Sequence, residues 1–210
     1  MVDKVLQGLQ WLGHDGFLLI SEGKNIYIDP FRISDGLPAA DLILITHEHY
    51  DHCSPEDVAK IQQASTVIVT EPRAATKLAG EIITMGPGES LELEGITIEA
   101  VPSYNINKQF HPQGNRWLGF VLAVGGVRLY HAGDTDYVPE MREVRADIAL
   151  LPVSGTYVMT AAEAVQAALA INPKIAVPMH YDAVVGTADD AGRFAEGLIG
   201  RVRVEILKKR

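Results

Sequence analysis

A short apolar run, Asp41-Leu42-Ile43-Leu44-Ile45, delivers the chain directly into Thr46-His47-Glu48-His49-Tyr50-Asp51-His52. Three imidazoles and a well-placed carboxylate fall within six consecutive positions, from His47 to His52. In an extended segment side chains two apart share a face, so His47 and His49 can converge on one ion. Asp51 and His52 follow where the chain turns toward Pro55, placed to hold a second ion beside the first. Neutral imidazole and carboxylate are ligands that suit zinc and its first-row neighbours. The alternative is a chance cluster of surface histidines or a helix cap. Histidine is sparse elsewhere in the chain, and a solvated loop gains nothing from this spacing.

The 210 residues suffice for one domain with a sizeable core, and we expect residues 1–210 to form a single domain. The apolar and charged fractions, 47% and 21%, are those of an ordinary soluble globular protein. No apolar stretch approaches the roughly 18–20 residues that span a bilayer. Met1-Val2-Asp3-Lys4 opens a mixed segment rather than a charged-then-apolar leader, so a cytoplasmic protein is expected. The single cysteine, Cys53, rules out an internal disulfide framework and agrees with a reducing compartment. A formal charge of −9 argues against broad attraction to nucleic acid or anionic membrane.

Short β-type runs recur at residues 17–21, 25–28, 42–45, 66–69, 96–101, 118–124, 127–130, 148–151 and 175–177. Glu22-Gly23-Lys24 and Gly125-Gly126 join neighbouring runs as hairpin turns. Caps announce the helices. Ser54-Pro55-Glu56-Asp57 combines an N-cap serine, a first-turn proline and acidic residues facing the helix dipole. Thr160-Ala161-Ala162-Glu163 is a capping box, closed downstream by Asn172-Pro173. Thr187 opens a last helix expected to reach about Ile199. Strands and helices alternate with many hairpins, which predicts mixed sheets covered by helices. The order hairpin, strand, helix occurs once before about Leu93 and again after Ile96.

Two further stretches carry chemistry. His131-Ala132-Gly133-Asp134-Thr135 follows the run 127–130, and glycine there lets the backbone turn and present Asp134. His180 follows the run 175–177. Loops at strand ends are where a rigid scaffold aims residues at one point. Taken alone, Asp134 reads equally as a turn aspartate and His180 as a satisfied core histidine. Cys53 reads as a small packed residue, and Trp11 and Trp117 as core.

His47 to His52, the His131–Thr135 stretch and the late His180 together resemble the metallo-β-lactamase superfamily. Trp11-Leu12-Gly13-His14 and Ile28-Asp29-Pro30-Phe31 add a likeness to its small metal-dependent hydrolases related to ascorbate-phosphate lactonase. The likeness runs from about Trp11 to Tyr181. It implies an α+β fold, a four-layer αββα sandwich with two mixed β-sheets flanked by helices, and a metal centre at one edge. It implies His47 and His49 on a first ion, Asp51, His52 and His180 on a second, and Asp134 as the bridging carboxylate. The family's third ligand of the first ion is a histidine in the loop after the first strand of the second half. Here that loop reads Val101-Pro102-Ser103-Tyr104-Asn105-Ile106-Asn107. Asn105, through its amide oxygen, and His111, from further along the loop, are the alternatives, and a weakly held first ion is the third. Asp29 would fix the tautomer of a ligand imidazole, and His14 would line the pocket as proton donor or substrate contact.

One or two divalent ions are expected, zinc first, with manganese or nickel as alternatives. Acidified by such an ion, water supplies hydroxide near neutral pH. The expected activity is a metal-dependent hydrolase acting on a small anionic substrate, a phosphoester, phosphodiester or lactone, with Asp51 or Asp134 orienting the nucleophile. Two ions, two aspartates and a hydroxide leave a site of about +1 that favours anionic substrates. Lys108 and Arg116, in a lid-like loop of residues 105–116, are candidate anion contacts. Two other readings compete: a nuclease acting on single-stranded RNA or DNA, and a metal-binding or sensing protein without catalysis. The expected partner is a small-molecule substrate, with no membrane and no nucleic acid; a homo-oligomer stays open.

Overall fold

The structure, a computed structural model, describes residues 1–210. Two mixed sheets lie face to face with helices on their outer sides. The first sheet runs in chain order: β1 (Leu9–Gly13), β2 (Gly16–Ser21), β3 (Lys24–Ile28), β4 (Leu42–Ile45), β5 (Val67–Thr70) and β6 (Glu81–Thr84). β1, β2 and β3 are antiparallel, and β3 through β6 are parallel. The second sheet comprises β7 (Ser90–Leu93), β8 (Ile96–Pro102), β9 (Leu118–Val124), β10 (Val127–His131), β11 (Ile148–Pro152), β12 (Ile175–Met179) and β13 (Arg203–Val204). It repeats the plan, antiparallel from β7 to β10 and parallel from β10 to β13. The duplicated order expected from the sequence is thus the order of two similar sheets.

Period-two alternation sorts the first sheet. Phe17, Leu19, Ile26, Ile28, Leu42 and Leu44 face the second sheet and join the main core. Leu18, Tyr27, Ile43 and Ile45 face outward, where α2 (Pro55–Ile61) covers them with Val58 and Ile61. That double cover is why Leu42-Ile43-Leu44-Ile45 is apolar at every position. On the other side α4 (Ala161–Ile171) and α5 (Ala188–Gly197) cover the second sheet through Ala164, Ala167, Ala168 and Phe194.

The caps act as the sequence predicts. Ser54 Oγ accepts from Asp57 N, and Thr160 and Thr187 close capping boxes with Glu163 and Asp190. α5 stops at Gly197, two residues short of the expected end. The short α1 (Val2–Gly8), α3 (Pro72–Ala75), β6, β7 and β13 carry little periodicity for a sequence reading to use. No helix is long and apolar enough to cross a membrane.

The parallel strands β3, β4, β10, β11 and β12 all end at one edge, and the β1–β2 turn and the β8–β9 loop return there. Backbone bonds tie the two sheets together at this edge: Leu118 N–H donates to Thr46 O at 3.1 Å and His180 N–H to His14 O at 3.1 Å. Gly133 makes the closest approach possible. It sits at φ +64°, and a Cβ there would lie 2.7 Å from Leu118 O. Gly133→Ala therefore combines left-handed strain with a backbone clash and is expected to destabilise by about 2–4 kcal/mol. Urea unfolding measures this; an unchanged midpoint would remove the close approach as the reason for glycine.

Candidate metal centre

Seven chain segments converge on this edge. The β1–β2 turn brings His14 and Asp15, the end of β3 brings Asp29, and the end of β4 brings His47, His49, Asp51 and His52. The β8–β9 loop brings Asn105 and His111. The ends of β10, β11 and β12 bring Asp134, Ser154 and His180. Their ligand atoms form two adjacent groups. His47, His49 and His111 lie within 4.8 Å of one another, and so do Asp15, His52, Asp134 and His180. His14 also groups with His52 and His180.

The side chains behind these groups decide which ring nitrogen faces in. Asp29, fully buried, accepts from Thr46 N at 2.8 Å, Thr46 Oγ1 at 2.6 Å and His52 Nδ1 at 2.8 Å. His52 Nδ1 therefore carries a proton toward Asp29, and Nε2 is the nitrogen turned to the group. Thr46 Oγ1, already donating to Asp29, accepts from His47 Nδ1 at 2.9 Å, which turns the His47 Nε2 lone pair inward. Ser154 Oγ donates to Thr156 O, so it accepts from His180 Nδ1 at 2.9 Å. Asn105 Oδ1 accepts from His111 N at 3.0 Å and from His111 Nδ1 at 3.2 Å. In each case the partner behind the ring takes Nδ1 and leaves Nε2 to face the group.

His111, not Asn105, joins His47 and His49, while Asn105 holds His111 in place with its Oδ1 and anchors itself by donating Nδ2–H to Tyr157 O at 2.8 Å. Trp117, expected as plain core, packs its ring on His47, His49 and His111 at centroid distances of 4.7, 4.6 and 5.4 Å. Trp11 is buried and stacks on Tyr181 at 4.7 Å.

Asp134 touches both groups. Its Oδ2 lies 3.1 Å from His111 Nε2 and 3.4 Å from His52 Nε2, and its Oδ1 lies 3.3 Å from His180 Nε2. These separations match the edge of about 3.3 Å between ligands bound at 2.0–2.1 Å in a tetrahedron. Burial pushes the Asp134 carboxyl up, but His180, His52 and His111 outweigh it and hold it well below the usual range. Burial lowers His47 and His49, favouring the neutral form that binds metal. His52 is raised, because Asp134 and Asp29 overcome its burial. Asp51, more exposed, is held by His14 Nε2 at 3.2 Å. Burial raises the Asp51 carboxyl, yet the hydrogen bond from His14 outweighs it and brings the value to about 2.

A divalent ion fits the residues present. Apart from Trp117 Nε1 and Tyr130 Oη, every buried side-chain nitrogen or oxygen without a hydrogen-bond partner lies here: His14 Nδ1, both Asp15 oxygens, His52 Nε2, His111 Nε2 and Asp134 Oδ1. Buried polar atoms are rarely left so, and a bound ion is one of the accepted reasons.

The candidate anion contacts lie elsewhere. Lys108 Nζ pairs with Asp136 of the segment after β10, whose other oxygen accepts from Ile106 N, so the lysine is neutralised by a neighbouring loop. Arg116 takes a left-handed backbone and lays its guanidinium against Gly86, in a separate groove with Glu71, Arg73 and Glu89. The sequence reading also attached no role to Asp15, Thr46, Ser154 or Tyr157. Asp15 stands in a Gly-His-Asp-Gly turn, where a turn aspartate is the default, and the other three carry no signal at all.

The domain family described as the beta-lactamase superfamily domain matches residues 8–180. A UPF0173 metal-dependent hydrolase of Thermoplasma acidophilum is 36% identical over 94% of this chain and 92% of its own length. A second, from Thermus thermophilus, is 33% identical over 90% of this chain and 89% of its own. The crystal structure of a Parabacteroides distasonis protein, 33% identical, covers 95% of this chain and 93% of that one with a TM-score of 0.86. The metallo hydrolase Igni18 of Ignicoccus hospitalis, 24% identical, shares the fold with a TM-score of 0.77 over 96% and 94%. The chain belongs to the metallo-β-lactamase superfamily, and within it to the metal-dependent hydrolases.

Two outcomes follow from these contacts. Asp29→Ala strands three buried donors and should cost about 3 kcal/mol or more while weakening metal binding roughly 10–100-fold; Thr46→Val, which releases the His47 ring but leaves the His52 bond and the Thr46 N bond intact, should have the smaller effect. Calorimetry and metal titration of both variants compare them, and equal effects would contradict the tautomer role of Asp29. Burial pushes the Cys53 thiol up to about 11. At mildly alkaline pH iodoacetamide should leave it untouched in the native protein and label it fully in concentrated urea; rapid native labelling would count against this burial.

Proposed function

We propose that this metal-dependent hydrolase opens ester bonds in small, weakly charged substrates, a lactone or a phosphodiester carrying an apolar group. The observation that carries the reading is the pair of adjacent ligand groups sharing Asp134. We assign His47, His49 and His111 to one divalent ion and His52, His180 and Asp51 to a second, with Asp134 between them. Zinc suits the three-imidazole group. A divalent cation held there supplies Lewis acidity, polarising the scissile group and acidifying water.

The protein's own residues supply the rest. Asp51, ionised and fixed by His14, accepts a hydrogen bond from the attacking water and orients it. Asn105, Thr46, Ser154 and Asp29 hold the imidazoles in one tautomer, so none reorients during reaction. Tyr50, between His49 and Asp51, and Ile106 and Phe110, in the loop that carries His111, are all exposed, with Tyr50 against Phe31 and Phe110 against Tyr157. Such apolar groups suit an apolar substituent. The neighbouring cations are already paired, Lys108 with Asp136 and Arg73 with Glu48, which disfavours a nucleic-acid backbone because such binding rests on several free basic contacts.

Chelation should abolish turnover of lactones and aryl phosphodiesters, and zinc, manganese or nickel should restore it to different extents. His111→Ala should lose one ion per chain and lower turnover about 100-fold or more. Full activity after exhaustive chelation, or no hydrolysis of any ester by the reloaded protein, would refute the proposal.

A further inference from the structure

We infer that Asp15 is an additional ligand on the His52–His180 side of the centre, making that position carboxylate-rich and fitted to a harder divalent cation of the manganese class. The inference rests on the dinuclear reading above and adds to it a residue and a selectivity.

Three observations carry it. Asp15 is completely buried, and neither of its oxygens has a hydrogen-bond partner. The nearest positive group is His52, whose Nδ1 lies 3.9 Å away and already donates to Asp29. A second buried carboxylate, Asp134, stands in the same cluster, and two buried carboxylates with unpartnered oxygens side by side are a cation-binding arrangement. Position comes next: Asp15 falls within the same 4.8 Å cluster as His52, Asp134 and His180, whereas Asp51 does not. Asp51 is drawn toward His14 instead. Finally, the backbone of Asp15 is clamped from both sides. His131 accepts from Gly133 N through Nδ1, so its Nε2–H donates to Asp15 O at 2.9 Å. His14, one residue earlier, has its carbonyl held by Trp11 Nε1 at 2.8 Å and His180 N at 3.1 Å. A turn aspartate with no other role has no need of such a clamp.

The two positions then differ in chemistry. His47, His49 and His111 offer three nitrogens, which suits zinc. With Asp15 added to Asp51 and Asp134, this position offers three carboxylates beside the two imidazoles of His52 and His180, and carboxylate shifts preference toward harder ions. The chain is therefore expected to load two different metals when both are supplied.

The test is equilibrium dialysis of the full-length protein against zinc and manganese together, followed by metal analysis, with manganese also followed by its paramagnetic resonance signal. Wild type should hold one zinc and one manganese. Asp15→Ala should hold manganese roughly 10-fold or more weakly and take a second zinc instead, with zinc affinity of the three-histidine position unchanged. If Asp15→Ala does not fold, as judged by its circular dichroism, Asp15→Asn preserves the shape and should show the same change of selectivity. A variant that binds both ions as wild type does would overturn the role of Asp15 and leave the centre standing. A wild-type protein that takes up no second ion would overturn the dinuclear centre itself, and His47→Ala distinguishes this by removing the remaining ion as well.

Discussion

The buried carboxylate of Asp29 governs the edge on which everything else is assembled. It stands at the end of β3 with φ +44° and gathers three donors, two from Thr46 and one from His52. Through Thr46 it fixes where β4 ends and how His47 is turned; through His52 it sets the proton of a ring on the far side of the loop. A single anion thus dictates the tautomers of two histidines that the chain separates by five positions. Left-handed backbone recurs among the segments that meet at this edge: His14, Asp29, Tyr157 and His180 all have positive φ without being glycine. Such conformations persist only where surrounding bonds over-determine them. Here the surrounding bonds are the ones that join the two sheets.

Much of this was legible in the sequence because it is local. The run Leu42-Ile43-Leu44-Ile45 followed by His47 to His52 is a strand and its loop, and strand periodicity, caps and hairpin turns are set by neighbours in the chain. The two-sheet αββα architecture was legible at one remove, through the resemblance those residues carry and the repeated order of elements.

What escaped the sequence depends on distance. His111 reaches His47 because Asn105 Oδ1 and Tyr157 O catch its Nδ1, a contact made across a loop and between two strands. No spacing rule encodes it. Lys108 looked free because its partner, Asp136, lies far along the chain, and Arg116 looked available because nothing local shows that its guanidinium lies against Gly86 in another groove. Asp15 was silent for a different reason: a turn aspartate between glycines is ordinary, and only its complete burial without a donor makes it unusual. Charge that is free in a sequence and paired in a structure changes the chemistry of a mouth. Here pairing removes Lys108 from the list of free cations.

The stitching of the two sheets has a thermodynamic side. His14 and His47 come from the first sheet, His111, Asp134 and His180 from the second, and in the unfolded chain they are scattered between positions 14 and 180. On the assignment proposed above, neither half alone holds a complete ligand set, so a cation would bind tightly only to the chain in which both halves have docked. Binding of this kind stabilises the native state in proportion to the logarithm of free metal over the dissociation constant. Metal supply in the surroundings would then set not only how fast this enzyme works but how long each copy of it survives.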